Sequence, residues 1–389
     1  MMLTPIKNRH VFYIGGFDPK GVSSFFQKHK AQLQHYASLS GVAHRVGARE
    51  KVSTHSFSWS VVADHPSHPT HTTFEYLAWD DIVRTHWART PAGIARQALR
   101  CLIDFSLSGA IQSLHKLAPA TARAALYPYL LVLGAILCIV GLSAVIFLVL
   151  LFMLDYPRLA GLGAMTAAGV GLAFGWKTLK NVPSMWFLRV VDFANTIARN
   201  NDVHINLRIT AWCDRILEVI EHHSTDEIIV VGYSAGSTLS VPLMAQLLKH
   251  KAVAPNLPEQ FSLLTLGNCI PVAAALKSGA QIRADLATIG NSQLTWLDYT
   301  APIDWGSFPL VNPIQVYAPL SDSAPDKRSF ISPQFHLLFD AEKYQKIKID
   351  KYHVHELYLQ CTPKIGKYDF FNILYGQNTV LRRLNESKN

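Results

Sequence analysis

Charge is scarce in this chain. Asp, Glu, Lys and Arg make up 16% of its 389 residues, against about 25% in ordinary soluble domains, and the 31 positions from Ala124 to Leu154 carry none. With 49% hydrophobic residues and a mean hydropathy of +0.15, the composition excludes a disordered chain, and the length allows a core without disulfide or metal staples. Cysteine is sparse: Cys101, Cys138, Cys213, Cys269 and Cys361 are odd in number, scattered and never in CxxC spacing. That excludes a zinc ribbon or dithiol motif and points to a reducing compartment. HExxH, Walker A and GxGxxG patterns are missing, as are internal repeats and low-complexity tracts. His55, His65, His68, His71 and His86 cluster in sequence without metal-ligand spacing and read as solvent-facing loop residues, so neither metal nor cofactor is expected. Lys and Arg exceed Asp and Glu by 36 to 27, a net charge of +9, yet no basic run interleaved with aromatics suggests a nucleic-acid partner. The first thirty residues lack a signal-peptide pattern, because Gly15, Gly16, Asp18 and Lys20 interrupt any apolar run; the amino terminus is expected in the cytoplasm.

The uncharged run is the first positive feature. A bilayer core of about 30 Å needs about 20 apolar residues in helix, and Ala124–Leu154 exceeds that, with Pro128 placed where a first helical turn tolerates proline. Asp155, Tyr156, Pro157 and Arg158 make a turn. Leu159 to Trp176 adds 18 uncharged residues rich in small side chains, including Gly161, Gly163, Gly169, Gly171 and Gly175, suited to close packing on the first helix. Residues 124–176 thus read as a transmembrane helical hairpin. Lys116, Arg123, Lys177, Lys180 and Arg189 flank its open ends, so the positive-inside bias puts both flanks in the cytoplasm. The expectation is an integral protein of a bacterial inner membrane, with membrane lipids as partners. Residues 91–123 form an amphipathic helical linker, with Ile94, Ala95, Ala98, Leu99, Leu102 and Ile103 on one stripe and Arg96, Gln97 and Arg100 opposite. It either lies on the anionic leaflet or packs on the main domain.

The remainder, residues 1–90 and 177–389, reads as one discontinuous α/β domain. His10–Ile14 is a short strand, followed by Gly15-Gly16-Phe17-Asp18-Pro19 and a helix over 22–38. Residues 55–63 and 70–79 alternate in polarity across a six-residue loop, a β-hairpin. Helical patterns cover 184–199 and 205–222. Glu227–Val231 is a β-branched run of the kind buried on both faces of a parallel sheet. Further strands are expected at 262–266 and 293–297 and helices at 271–278 and 279–288, a rhythm of doubly wound, mostly parallel architecture.

Between the Glu227–Val231 strand and a helical pattern over 237–249 stands Gly232-Tyr233-Ser234-Ala235-Gly236. Strand and helix backbones approach closely in so sharp a turn, so small residues must flank the serine. The serine is then held at the carboxyl end of the sheet, with the following helix's amino terminus directed at a developing oxyanion.

In this motif and its context the chain resembles the α/β-hydrolase superfamily of lipase- and esterase-like serine hydrolases. The resemblance implies the chain order nucleophile, acid, histidine and hydrolysis of a carboxylic ester. Ser234 is the implied nucleophile. For the acid, Asp304 is favoured, because Pro302 ends the strand and places it in the loop beyond the sheet; Asp298, in alternation with Leu294 and Trp296, is the reserve. For the base, His355 is favoured in a loop entering a helix at 353–359, with His353 and His336 in reserve. The oxyanion donors implied are the amide of Ala235 and that of Gly16 or Phe17. An ester or acyl compound, possible in lipid form, is the implied substrate; thioester or amide hydrolysis by the same triad, and an inactive hydrolase-like membrane scaffold, are the alternatives.

Overall fold

A computed structural model describes residues 5–154, 156–179, 185–222, 225–250, 261–319 and 327–388. Nine strands form one mixed sheet: β1 (Asn8–Ile14), β2 (His44–Val46), β3 (Glu50–Ser53), β4 (Ser56–Ala63), β5 (Thr70–Leu77), β6 (Glu227–Tyr233), β7 (Phe261–Leu266), β8 (Thr295–Tyr299) and β9 (Arg328–Ile331). Their order is β2-β4-β5-β1-β6-β7-β8-β9, with β3 also paired to β4. From β5 to β9 every neighbouring pair is parallel, and the antiparallel pairs are confined to the β2–β5 end. Strands from before and after the long helical insertion therefore share one sheet, joined where β1 lies between β5 and β6.

Side chains alternate across a strand, and here both faces are covered. Phe12, Ile14, Ile228 and Val230 enter one core, with the helices 91–107, 185–199, 203–222 and 235–248. Val11, Tyr13, Ile229 and Val231 enter the other, with the helix Gly21–Ser40 and the carboxy-terminal helices. This explains the unbroken apolar reading of β6, whose seven residues are all buried. The β4–β5 hairpin has the expected six-residue loop, with Ala63 opposite Thr70.

Several elements depart from the sequence expectation. The strand expected at 293–297 runs from Thr295 to Tyr299, because the Ser292 hydroxyl accepts from the Leu294 amide in a preceding turn. Asp298 is consequently inside the strand, opposite Thr265 and Phe330. Strands β2, β3 and β9 have three or four residues each and were not anticipated. The linker is two helices, Pro91–Leu107 and Ala110–Leu117, separated by Gly109 at φ 71°. Its apolar stripe divides: Ile94, Ala98, Cys101 and Phe105 are buried against the core, while Leu99, Ile103 and Leu107 are exposed. Arg100 bonds Asp192 on the helix Met185–Arg199.

The insertion is a pair of long helices, Pro119–Leu154 and Pro157–Leu179. The first starts five residues earlier than the charge-free run, since Arg123 lies on an exposed face and a surface charge does not end a helix. Pro119, not Pro128, occupies its first turn; Pro128 is internal. Thr121, Tyr129 and Val132 are buried on the domain. Beyond them the helix projects, with Leu137, Val140, Leu148 and Phe152 more than half exposed. Gly163 and Gly171 approach Leu150 and Ile139 of the first helix, as small residues at a tight helix pair should, whereas Gly161 and Gly169 face open space. Arg189 is not a flanking interfacial cation. It is buried, its guanidinium 4.6 Å from the Trp87 ring and bonded to the carbonyl of Ala88.

Candidate active site

Because β1, β6, β7 and β8 run parallel, their carboxyl ends meet at one edge of the sheet, where crevices form in open α/β folds. Ser234 follows β6 at φ 54°, ψ −123°, a region that costs a non-glycine residue of order 1–3 kcal/mol and recurs at functional sites. The strain is held from several sides. The Ser234 amide donates to the Leu266 carbonyl at 2.9 Å, and the Ser237 amide and hydroxyl both donate to the Ser234 carbonyl. A Cβ on Gly236 would stand 2.2 Å from the Ile14 carbonyl oxygen, and one on Gly232 2.8 Å from the Ser237 Cα. Both flanking glycines are therefore obligatory for strand and helix to pass this closely.

Ser234, His355 and Asp304 are brought together. His355 Nε2 lies 2.8 Å from Ser234 Oγ, and His355 Nδ1 lies 2.9 Å from Asp304 Oδ2. An ionised carboxylate only accepts, so the Nδ1 proton belongs to this bond and Nε2 is left to accept from the serine hydroxyl. All three residues are buried. Burial alone would raise the Asp304 carboxyl; the charge and hydrogen bond of His355, with donors from Gly306 and Ser307, outweigh it and hold the carboxyl below the usual range. Asp304 Oδ1 accepts from the Gly306 amide at 2.8 Å, and Oδ2 accepts also from Tyr358 Oη at 3.0 Å.

The reserve residues are elsewhere. Asp298 is enclosed within β8, with Oδ1 accepting from Thr265 Oγ1 at 2.5 Å and Asn268 Nδ2 at 2.8 Å, and Oδ2 from Thr300 Oγ1 at 3.1 Å. Burial, opposed by these three donors, pushes its carboxyl up to about 7. His353 donates its amide to Asp350 at the start of the helix Lys351–Glu356. That helix, not a loop, carries His355, in its last turn. His336 is exposed on the short helix Phe335–Leu338. The Gly15-Gly16-Phe17 loop packs on the serine: a Cβ on Gly16 would be 3.2 Å from Ser234 Cβ. Gly16 and Phe17 line the same cavity as Ser234, and Ala235 begins the helix Ala235–Leu248.

Sequence reading missed the groups that hold the imidazole. A Cβ on Gly306 would lie 2.7 Å from His355 Nδ1, and one on Gly267, at φ 58°, 3.1 Å from His355 Cε1. Tyr233 Oη donates to the His355 carbonyl at 2.9 Å, and the Trp186 ring stands 5.7 Å from the imidazole. Two signals were present: Asp304-Trp305-Gly306 is an Asx-turn tripeptide, and Tyr358 follows His355 at the helical i+3 spacing.

Two cavities meet at His355. One, of about 510 Å³, is lined by Gly16, Asp18, Lys20, Lys28, Ser234 and Glu356 among others. The second, of about 710 Å³, lies between the base of the Pro119–Leu154 helix and the Trp305 and 349–352 segments. Trp186 and Tyr352, with rings 5.9 Å apart, border both. Among the described residues no group of His, Cys, Asp or Glu is arranged to hold a metal ion, and all five thiols are free. Comparison with protein-family models, with curated proteins and with solved structures finds no match to this chain.

Proposed function

We propose that this chain is a serine hydrolase of the α/β-hydrolase type, cleaving carboxylic esters from a position anchored in a membrane. The observation that carries the reading is the unbroken chain from Ser234 Oγ through His355 to Asp304 at 2.8 and 2.9 Å, on a serine in a strained strand-to-helix turn. In the reaction His355 Nε2 takes the Ser234 proton as Oγ bonds to the ester carbonyl carbon. The amides of Ala235 and of Gly16 or Phe17 stabilise the oxyanion. The C–O bond to the alcohol then breaks, and the alcohol leaves with the proton from His355. Water, deprotonated by His355, attacks the acyl-enzyme, and Ser234 recovers its hydroxyl as the acid departs. Asp304 keeps the imidazole oriented and supports its positive charge.

The membrane anchor is the helix pair 119–153 and 157–175, long and apolar enough to cross a bilayer, with exposed faces. Exposed Leu99, Ile103 and Leu107 on the preceding helix suit the adjoining interface. The positive-inside bias of Lys116, Arg123 and Lys177 favours a cytoplasmic catalytic domain.

The test is labelling of membranes with a fluorophosphonate, which reacts with activated serines. Wild type is expected to label and Ser234→Ala not to. A folded wild type that stays unlabelled supports an inactive scaffold instead, and a mutant that labels equally removes Ser234 as the reacting serine and overturns this reading.

A further inference from the structure

The cavity of about 710 Å³ lies beside the base of the long helix Pro119–Leu154. Its lining includes Arg123 and Tyr127 from the base of the long helix, and Trp305, Ile349 and Tyr352 from the domain; it ends at His355. Tyr127, Trp305, Ile349 and Tyr352 are 51%, 40%, 77% and 53% exposed, a costly set of surface side chains in water. Together with Arg123 and Lys351, whose ammonium lies 4.5 Å from the Trp305 ring, they are the residue types that gather at a membrane–water interface. The height of Tyr127 agrees. Projecting helix surface is continuous beyond Val132, and Tyr127 lies within about 10 Å of that point at about 1.5 Å per residue, the depth of a headgroup layer.

The two cavities also differ in character. The cavity containing Ser234 carries Asp18, Lys20, Lys28 and Glu356 among apolar and aromatic residues such as Phe17, Phe25 and Trp87, and no residue of the long helices. The one alongside the helix is the more apolar of the two, although Arg123, Asp350 and Lys351 also line it, and its residues Phe187 and Gly306 border a further apolar void of about 70 Å³. A bilayer lipid has the same polarity: acyl chain toward the membrane, ester between, headgroup toward water.

We propose that the cavity beside the helix base is an acyl-chain channel open to the bilayer, and that the substrate is a long-chain acyl ester of a membrane lipid, drawn in laterally so that its ester carbonyl reaches Ser234 beside His355 while its headgroup lies toward Asp18, Lys20, Lys28 and Glu356 of the other cavity. The assignment of the ester step rests on the serine-hydrolase reading above; the channel itself does not.

Two measurements test it. The full Ser234→Ala chain is reconstituted in phosphatidylglycerol–phosphatidylcholine nanodiscs with a trace phospholipid bearing an acyl-chain diazirine, photolysed, and mapped by peptide mass spectrometry. Adducts at Trp305 or within 349–352 are expected; adducts confined to 130–175 overturn the channel. Separately, the wild type and Ile349→Asp are compared on vesicle-borne dioleoylphosphatidylglycerol and on soluble 4-nitrophenyl butyrate. A charge at the channel mouth is expected to lower the ratio of the vesicle rate to the soluble rate about tenfold; an unchanged ratio overturns lateral entry. If the wild type hydrolyses neither and resists fluorophosphonate, the hydrolase reading fails, and the photoadducts still decide the channel.

Discussion

Asp298 and Asp304 are six positions apart and both fully buried, yet their surroundings give them opposite ionisation. Asp304 faces an imidazole and an amide and is held ionised; Asp298 faces only hydroxyls and an amide side chain, and burial keeps its proton on up to about pH 7. A carboxylate that supports an imidazolium must be charged, a state the surroundings of Asp304 favour and those of Asp298 oppose. Asp304→Asn is expected to slow fluorophosphonate labelling by about 10³–10⁴-fold, and Asp298→Asn to leave it intact. Asp298 also makes a pH prediction. Its folded carboxyl is raised from 3.8 to about 7, so its contribution to stability is present below pH 3.8 and is lost as pH rises through 7. Relative to wild type, Asp298→Asn is expected to gain about 2–4 kcal/mol at pH 8 over pH 4, read from unfolding midpoints at the two pH values. A midpoint difference that does not depend on pH would place the Asp298 carboxylate elsewhere on the scale.

Among elements, β1 and β6 form the seam between the two parts of the chain, and a buried ion pair crosses it. Arg9 Nε lies 2.7 Å from Glu227 Oε2. The remaining Arg9 donors reach the carbonyls of Leu374, Gly376 and Asn378, and Glu227 Oε1 accepts from the Val380 amide. One guanidinium thereby ties both halves of the sheet to the carboxy-terminal segment. Arg9→Met would leave Glu227 buried and unpaired, at a cost of about 3–5 kcal/mol; the double variant with Glu227→Met should recover much of it. Thermal unfolding in detergent measures both, and a single variant as stable as the double one contradicts the assignment. The strands flanking this seam were legible because burial on two faces writes an unbroken apolar run. Strands β2, β3 and β9 were not, since three or four residues hold too few alternations to register a period.

At the scale of the whole molecule, the helix pair gives the protein a surface unlike the rest. Cys138 is exposed on the protein exterior in the projecting part of the first helix. If that part lies in hydrocarbon, no water is present to ionise the thiol. In Cys361→Ser protein, where the other three thiols are buried, Cys138 is expected to resist a polar maleimide in intact membranes and to react after denaturation in detergent. Ready labelling in intact membranes would place the helices in water. The base of the same helix also reaches the site: Thr121 Oγ1 donates to the Ser307 carbonyl at 2.6 Å, in the loop that carries Asp304.

What the sequence determined by itself was local. The strand, the sharp turn with small residues around Ser234, the following helix and the two long apolar helices are each written within a few dozen consecutive residues, where periodicity and backbone sterics act. Which aspartate and histidine complete the site was a contact across 51 and 121 residues. No local pattern carries that distance. Asp298, Asp304, His336, His353 and His355 were all compatible with the order, and only the tertiary packing that sets His355 beside Gly267, after β7, and beside Asp304 and Gly306, after β8, brought one pair within hydrogen-bond reach. The cavity beside the helix base was likewise a matter of tertiary structure, because its walls come from four separated segments that share no sequence neighbourhood.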